Sequence, residues 1–162
     1  MRGQSKVLVV KPMTRALVVY YSKFGNTEKI AKALAAGLQS GGIETDTAKV
    51  DEVKYDELDK IDLLCVGTPV HAWNISKPAK NFLERLKGLE GLSGKKAFAF
   101  DTKFKSRMAG SAGGKIEKRL KNLGFDIAES ARSAIVLGNE GPLEEGAEGT
   151  FRQIGEELAN MM

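Results

Sequence analysis

Cysteine and histidine are nearly absent from this chain: Cys65 and His71 are the only ones in 162 residues. One thiol cannot build an intrachain disulfide framework, and one imidazole beside one thiol gives no zinc-type ligand set. Cys65 lies inside an apolar run and reads as a small core residue, compatible with a reducing compartment. No apolar stretch approaches the ~18 residues of a membrane-spanning helix, and the run at residues 7–10 is too short for a signal segment. A cytoplasmic protein without membrane insertion is expected.

Blocks of like charge are missing too. The formal charge is +4, but Arg2, Lys6 and Lys11 supply three of it before Met13, and four less three leaves a balance of one. Without a basic stripe, nucleic acid is not an expected partner. Met13 stands just ahead of the first strand pattern and reads as an alternative start. Residues 1–12 are therefore expected to be an extension outside the fold, and residues 13–162 a single domain large enough for one core. The common nucleotide loops are absent as well. No G-x-x-x-x-G-K-[ST] occurs, residues 109–116 lacking both its first glycine and its final hydroxyl, and no G-x-G-x-x-G follows the first strand.

What the chain does have is a turn, Tyr-Tyr-Ser-Lys-Phe-Gly-Asn-Thr at 20–27, leading from an apolar strand straight into an amphipathic helix. Hydroxyls of Ser22 and Thr27, the amide of Asn26 and the flexible Gly25 sit where backbone N–H groups converge on a helix start, a pattern suited to a phosphate dianion. An ordinary capped turn accounts for the same residues less completely.

Strand and helix patterns then alternate. Residues 16–21 form an apolar strand, and Ile30, Ala31, Leu34, Ala35 and Leu38 stripe a helix ended by Gly41-Gly42. Residues 43–50 suit an edge strand, whereas 61–67 are almost continuously apolar, as in a strand covered on both faces. Pro78 opens a helix carrying Ala79, Phe82, Leu83 and Leu86. A strand at 96–101, a helix with Ile116, Leu120 and Leu123, a last strand near 133–137 and a terminal helix with Phe151, Ile154 and Leu158 complete the series. The expectation is a doubly wound α/β fold: a five-stranded parallel sheet of order 2-1-3-4-5 in a three-layer α/β/α sandwich.

Such sheets bind ligands beyond the carboxyl ends of their strands, where the winding reverses. Three loops meet there: 22–27, 68–77 and 102–114. The second offers the flat indole of Trp73 and the hydroxyls of Thr68 and Ser76, and the third is long for a βα connection.

The 22–27 turn resembles the hydroxyl-rich mononucleotide loop of flavodoxins, S/T-x-T/x-G-N-T, with Ser22, Gly25, Asn26 and Thr27 matching and Lys23 and Phe24 in the variable places. With Gly67-Thr68-Pro69, Trp73 and the 102–114 loop, the likeness to the flavodoxin family covers roughly residues 14–160. It implies noncovalent FMN, electron transfer by one or two electrons, and redox protein partners or small electron acceptors, from a monomer or weak homodimer. The residues it assigns to FMN are Ser22, Lys23, Phe24, Gly25, Asn26 and Thr27 in the first loop and Thr68, Pro69, Val70, His71, Ala72, Trp73 and Asn74 in the second. Asp101, Thr102, Lys103 and Phe104 complete the set, and no residue is called catalytic.

Typical flavodoxins ring the flavin with carboxylates. Here Lys23, His71, Lys77, Lys103, Lys105 and Arg107 populate the loops, and Asp101 is their one acid. A cation about 8 Å from a reduced ring would stabilise its negative charge by roughly 2 kcal/mol at an effective dielectric of about 20. An FMN-dependent NAD(P)H:quinone-type oxidoreductase on the same fold is the alternative. A receiver-type signalling module would need acids where Gly67-Thr68 and Tyr21-Ser22 stand.

Overall fold

The computed structural model describes residues 14–71, 74–105 and 111–162. Strand β1 (Arg15–Tyr20) leads into α1 (Asn26–Ser40) and β2 (Glu44–Lys49); a 3-10 turn (Tyr55–Lys60) precedes β3 (Leu63–His71), which returns as the two-residue β4 (Asn74–Ile75). Then come α2 (Lys77–Leu86), β5 (Lys96–Phe104), α3 (Gly113–Asn122), the short β6 (Asp126–Ile127), β7 (Arg132–Val136) and α4 (Ala147–Asn160). The expected extension at residues 1–12 lies outside the described residues. No helix among the described residues is long and apolar enough to cross a membrane.

Period-two alternation divides the core between the two faces of the sheet. Val18 and Tyr20 of β1, Leu63 and Cys65 of β3 and Phe98 and Phe100 of β5 pack beneath α1 and α4. Val19, Leu64, Val66, Ala97 and Ala99 face α2 and α3 instead. Helices α1 and α4 touch backbone to backbone, because a Cβ on Gly37 would overlap the Arg152 carbonyl and one on Gly155 the Leu34 carbonyl.

The main strands run β2-β1-β3-β5 in parallel, with the fifth position taken by β6 and β7 together. The expected 2-1-3-4-5 winding is thus present, with two departures. The fifth strand is interrupted: β6 pairs with Lys96 and Ala97, β7 with residues from Phe100 to Phe104, and the register slips by two residues between them. Glu117 of α3 holds that slip, accepting the Ala131 N–H at 2.7 Å. The second departure is that β3 does not stop at Gly67. It continues through Pro69 to His71 and folds back antiparallel onto β4, so most of the supposed second loop is a hairpin. β5 likewise carries Asp101, Thr102, Lys103 and Phe104 as strand, shortening the supposed third loop.

Candidate functional site

At the carboxyl end of β1 the chain turns through Ser22, whose hydroxyl accepts the Gly25 N–H at 3.0 Å. Gly25 adopts φ +93° with open space around it, so backbone conformation rather than crowding requires glycine. Its carbonyl accepts the Lys29 N–H and starts α1, yet no side chain caps that helix. The first N–H groups of a helix have no partner within it. Asn26 and Thr27, both buried, stand among them at the floor of a cleft.

Thr27 is tied across the sheet to Thr102 of β5, hydroxyl to hydroxyl at 2.8 Å. Whichever donates, the other retains an O–H to give. The cleft above encloses about 560 Å³, within the range of small-molecule sites. Ser22, Lys23, Phe24, Asn26 and Thr27 line it from the first loop, Pro69, Val70 and His71 from β3, and Thr102, Lys103 and Phe104 from β5. A separate groove of about 370 Å³ runs between β2 and the 3-10 turn, away from the carboxyl ends where doubly wound sheets bind ligands.

Not every expected residue lines the cleft. Asp101 is fully buried and faces α3: its Oδ2 accepts the N–H groups of Gly113 at 2.7 Å and Ala112 at 2.9 Å and the Ser111 hydroxyl at 3.1 Å. Its Oδ1 is buried without a hydrogen-bond partner among the described residues. Thr68 is also fully buried, joined to Ser76 by a 2.6 Å hydroxyl pair that pins the base of the hairpin. Asn74 accepts the Ile75 N–H through its own side chain. Gly25 shapes the turn without lining the cavity, and Ala72 and Trp73 lie outside the described residues.

His71 meets the Tyr21 ring edge-on, centroids 6.1 Å apart. Burial lowers its pKa below the ordinary 6.5, and the nearby Lys23 ammonium lowers it further. The imidazole therefore stays neutral at neutral pH, a proton acceptor at the cleft wall.

A fourth wall was not assigned from the sequence. Val136 at the end of β7, with Asn139 and Glu140 beyond it, completes the cleft. This segment closes on itself through Leu137 N–H to the Pro142 carbonyl at 2.9 Å, and a Cβ on Gly141 would come within 3.0 Å of Asn26 Oδ1. The signal was the turn-rich stretch 138–142, but nothing local says that it lies against Asn26. No group of three or more His, Cys, Asp or Glu residues among the described ones is arranged to hold a metal.

Comparison with known proteins places this geometry. The flavodoxin family model matches residues 18–154. Among solved structures, a flavodoxin from the domain Archaea superposes with TM-score 0.78 at 23% identity, over 91% of this chain and 97% of that one. Flavodoxin 1 from Bacillus cereus gives 0.78 at 18%, over 92% and 99%. At such identities these two show the shared fold. Among curated proteins, an NAD(P)H dehydrogenase (quinone) from Brucella anthropi is 34% identical over 97 residues, 48% of this chain and 49% of that protein. Flavodoxin FldP from Pseudomonas aeruginosa is 32% identical over 73 residues, 44% and 40% respectively. The chain spans about half the length of the curated relatives it matches, or less. With the family model covering most of its length, a doubly wound sheet and a cleft at the switch point, this chain belongs to the flavodoxin family, whose members bind FMN.

Proposed function

We propose that the protein is a small electron carrier that holds FMN noncovalently in the cleft above residues 22–27. The uncapped start of α1 carries this reading. Its first amide groups, uncapped by any side chain among the described residues, the dipole of a 15-residue helix and the hydroxyls of Ser22 and Thr27 together suit a phosphate dianion, with Lys23 beside them. Gly25 sets the turn and Asn26 braces it against Gly141. Phe24, Val70 and Phe104 supply the apolar walls for a flat ring system, and Pro69, Thr102 and Lys103 the remaining lining. Ala72 and Trp73 are proposed to cover the ring, with Thr68 and Asn74 holding the β3–β4 hairpin in shape.

Bound there, the flavin supplies one- and two-electron chemistry, so the protein needs no nucleophile or metal of its own. The residues do four things. They fix the phosphate, orient the ring, exclude water from its apolar edge and keep His71 as an unprotonated acceptor at the wall. Redox proteins or small electron acceptors are the proposed partners, and a monomer or weak homodimer in the cytoplasm the proposed form.

The quinone-reductase relatives favour a second reading, in which NAD(P)H reduces the flavin directly and a quinone reoxidises it. The purified, FMN-loaded protein separates the two. A carrier is reduced by dithionite and ignores NAD(P)H over minutes, whereas direct bleaching by NAD(P)H with turnover of a quinone establishes the enzyme. A protein that binds no FMN removes both.

A further inference from the structure

The mouth of the cleft is divided by charge. Lys23 and Lys103 line it, and the exposed Lys105 stands just past the end of β5. Asp101, the one acid that the sequence puts among these cations, is buried and committed to α3. His71, held toward its neutral form, adds no charge near neutral pH. The one acid among the lining residues is Glu140, beyond the end of β7.

Apolar surface concentrates at the same mouth. Four large hydrophobic side chains are exposed among the described residues, and only Met161 is elsewhere. Phe24 and Phe104 line the cleft, and Leu137, 62% exposed, directly follows the lining residue Val136. The Lys23 ammonium lies 5.3 Å from the Phe24 ring centre, presenting cation and aromatic face together. Leu137 and Lys105 do not line the cavity, so filling it leaves both at the surface.

We propose, resting on the FMN-carrier reading, that this mouth docks an acidic electron-transfer protein, one whose own redox centre is ringed by Asp and Glu. An apolar centre inside a charged rim is the anatomy of a protein interface, and redox encounters sit at its small, fast-exchanging end. The lysines on the β1 and β5 side attract the partner's carboxylates, Leu137 gives the dry contact, and Glu140 fixes which way round it sits. A basic partner would meet Lys23, Lys103 and Lys105 as repulsion. A small neutral acceptor would use neither the lysines nor Leu137.

Stopped-flow transfer of one electron from a reduced, acidic [2Fe–2S] ferredoxin to the FMN-loaded full chain, read as loss of flavin absorbance, tests this. The second-order rate should fall about tenfold between roughly 0.02 and 0.5 M salt. Lys105→Glu should lower the low-salt rate by about threefold to tenfold, Lys105→Gln by less, and both effects should vanish at high salt. Quenching of FMN fluorescence is measured alongside. If Lys105→Glu quenches FMN as wild type does while the rate ignores salt and substitution, the docking face is overturned and the cofactor site stands. A rate that rises with salt also overturns it. Wild type that fails to quench FMN overturns the cofactor reading beneath it.

Discussion

Replacing Asp101 with Asn distinguishes a carboxylate that builds α3 from one that touches the cofactor. Three groups donate to a single oxygen, and two of them are the backbone amides of Ala112 and Gly113, where α3 begins. A hydrogen bond to a charged acceptor contributes about 1.5–3 kcal/mol and a neutral one about 0.5–1.5, so each backbone bond loses roughly 1 kcal/mol on going to the amide. The carboxamide NH₂ must then occupy the other oxygen's position, which is buried and has no partner among the described residues, at a further cost of about 1 kcal/mol or more. Asp101→Asn should therefore destabilise the protein by about 3 kcal/mol, visible as a lower urea midpoint with an unchanged slope and a Tm lower by about 10 °C. Because Asp101 does not line the cleft, the dissociation constant for FMN measured well below the new midpoint should change less than about threefold. A variant as stable as wild type that binds FMN tenfold more weakly would refute this assignment and place the carboxylate in the cofactor site.

Other predictions rest on separate observations. Gly155→Ala should cost about 2 kcal/mol or more in urea denaturation, since its methyl would overlap the Leu34 carbonyl and force α1 and α4 apart; an unchanged midpoint would mean that the helices are not in backbone contact. His71 binds a proton less readily in the folded chain than in the unfolded one, so the unfolded state holds more protons between the lowered value and 6.5. Its contribution to stability is consequently lost as pH falls below about 6.5, a slope that His71→Gln should flatten. Lys23→Gln should move the His71 titration upward by NMR, and an unmoved titration would deny that the two are close. Cys65 is fully buried and its thiol pKa pushed far up by desolvation, so a thiol reagent should modify none of the native protein and one equivalent after unfolding.

The layers and winding were legible because their signals are local. The apolar run in β3, the stripes of α1 and α2 and the glycine-terminated α1 each report their own element. What the sequence concealed is non-local. Pro69 suggests a loop because it cannot donate to a ladder, yet it continues β3 opposite Thr102 and carries the strand on to a hairpin. Asp101 reads as a ligand at a strand end because its partners lie 10 to 12 residues downstream, across a turn whose geometry no spacing reveals. The slip between β6 and β7 depends on Glu117, a residue indistinguishable in sequence from any exposed helix glutamate. Glu140 and Asn139 reach the cleft only because β7 lies beside β5, so a turn-rich stretch far along the chain becomes the wall facing the first loop.

A fluorescence titration of the flavin-free protein with FMN and, separately, riboflavin probes the phosphate seat at residues 22–27 directly. The two ligands share the ring and differ by the phosphate. Two or three charge-assisted hydrogen bonds to it predict that FMN binds at least about 100-fold more tightly. Thr27→Val should narrow the ratio. Equal affinity for the two ligands, or no quenching by either, would contradict a phosphate site at the start of α1.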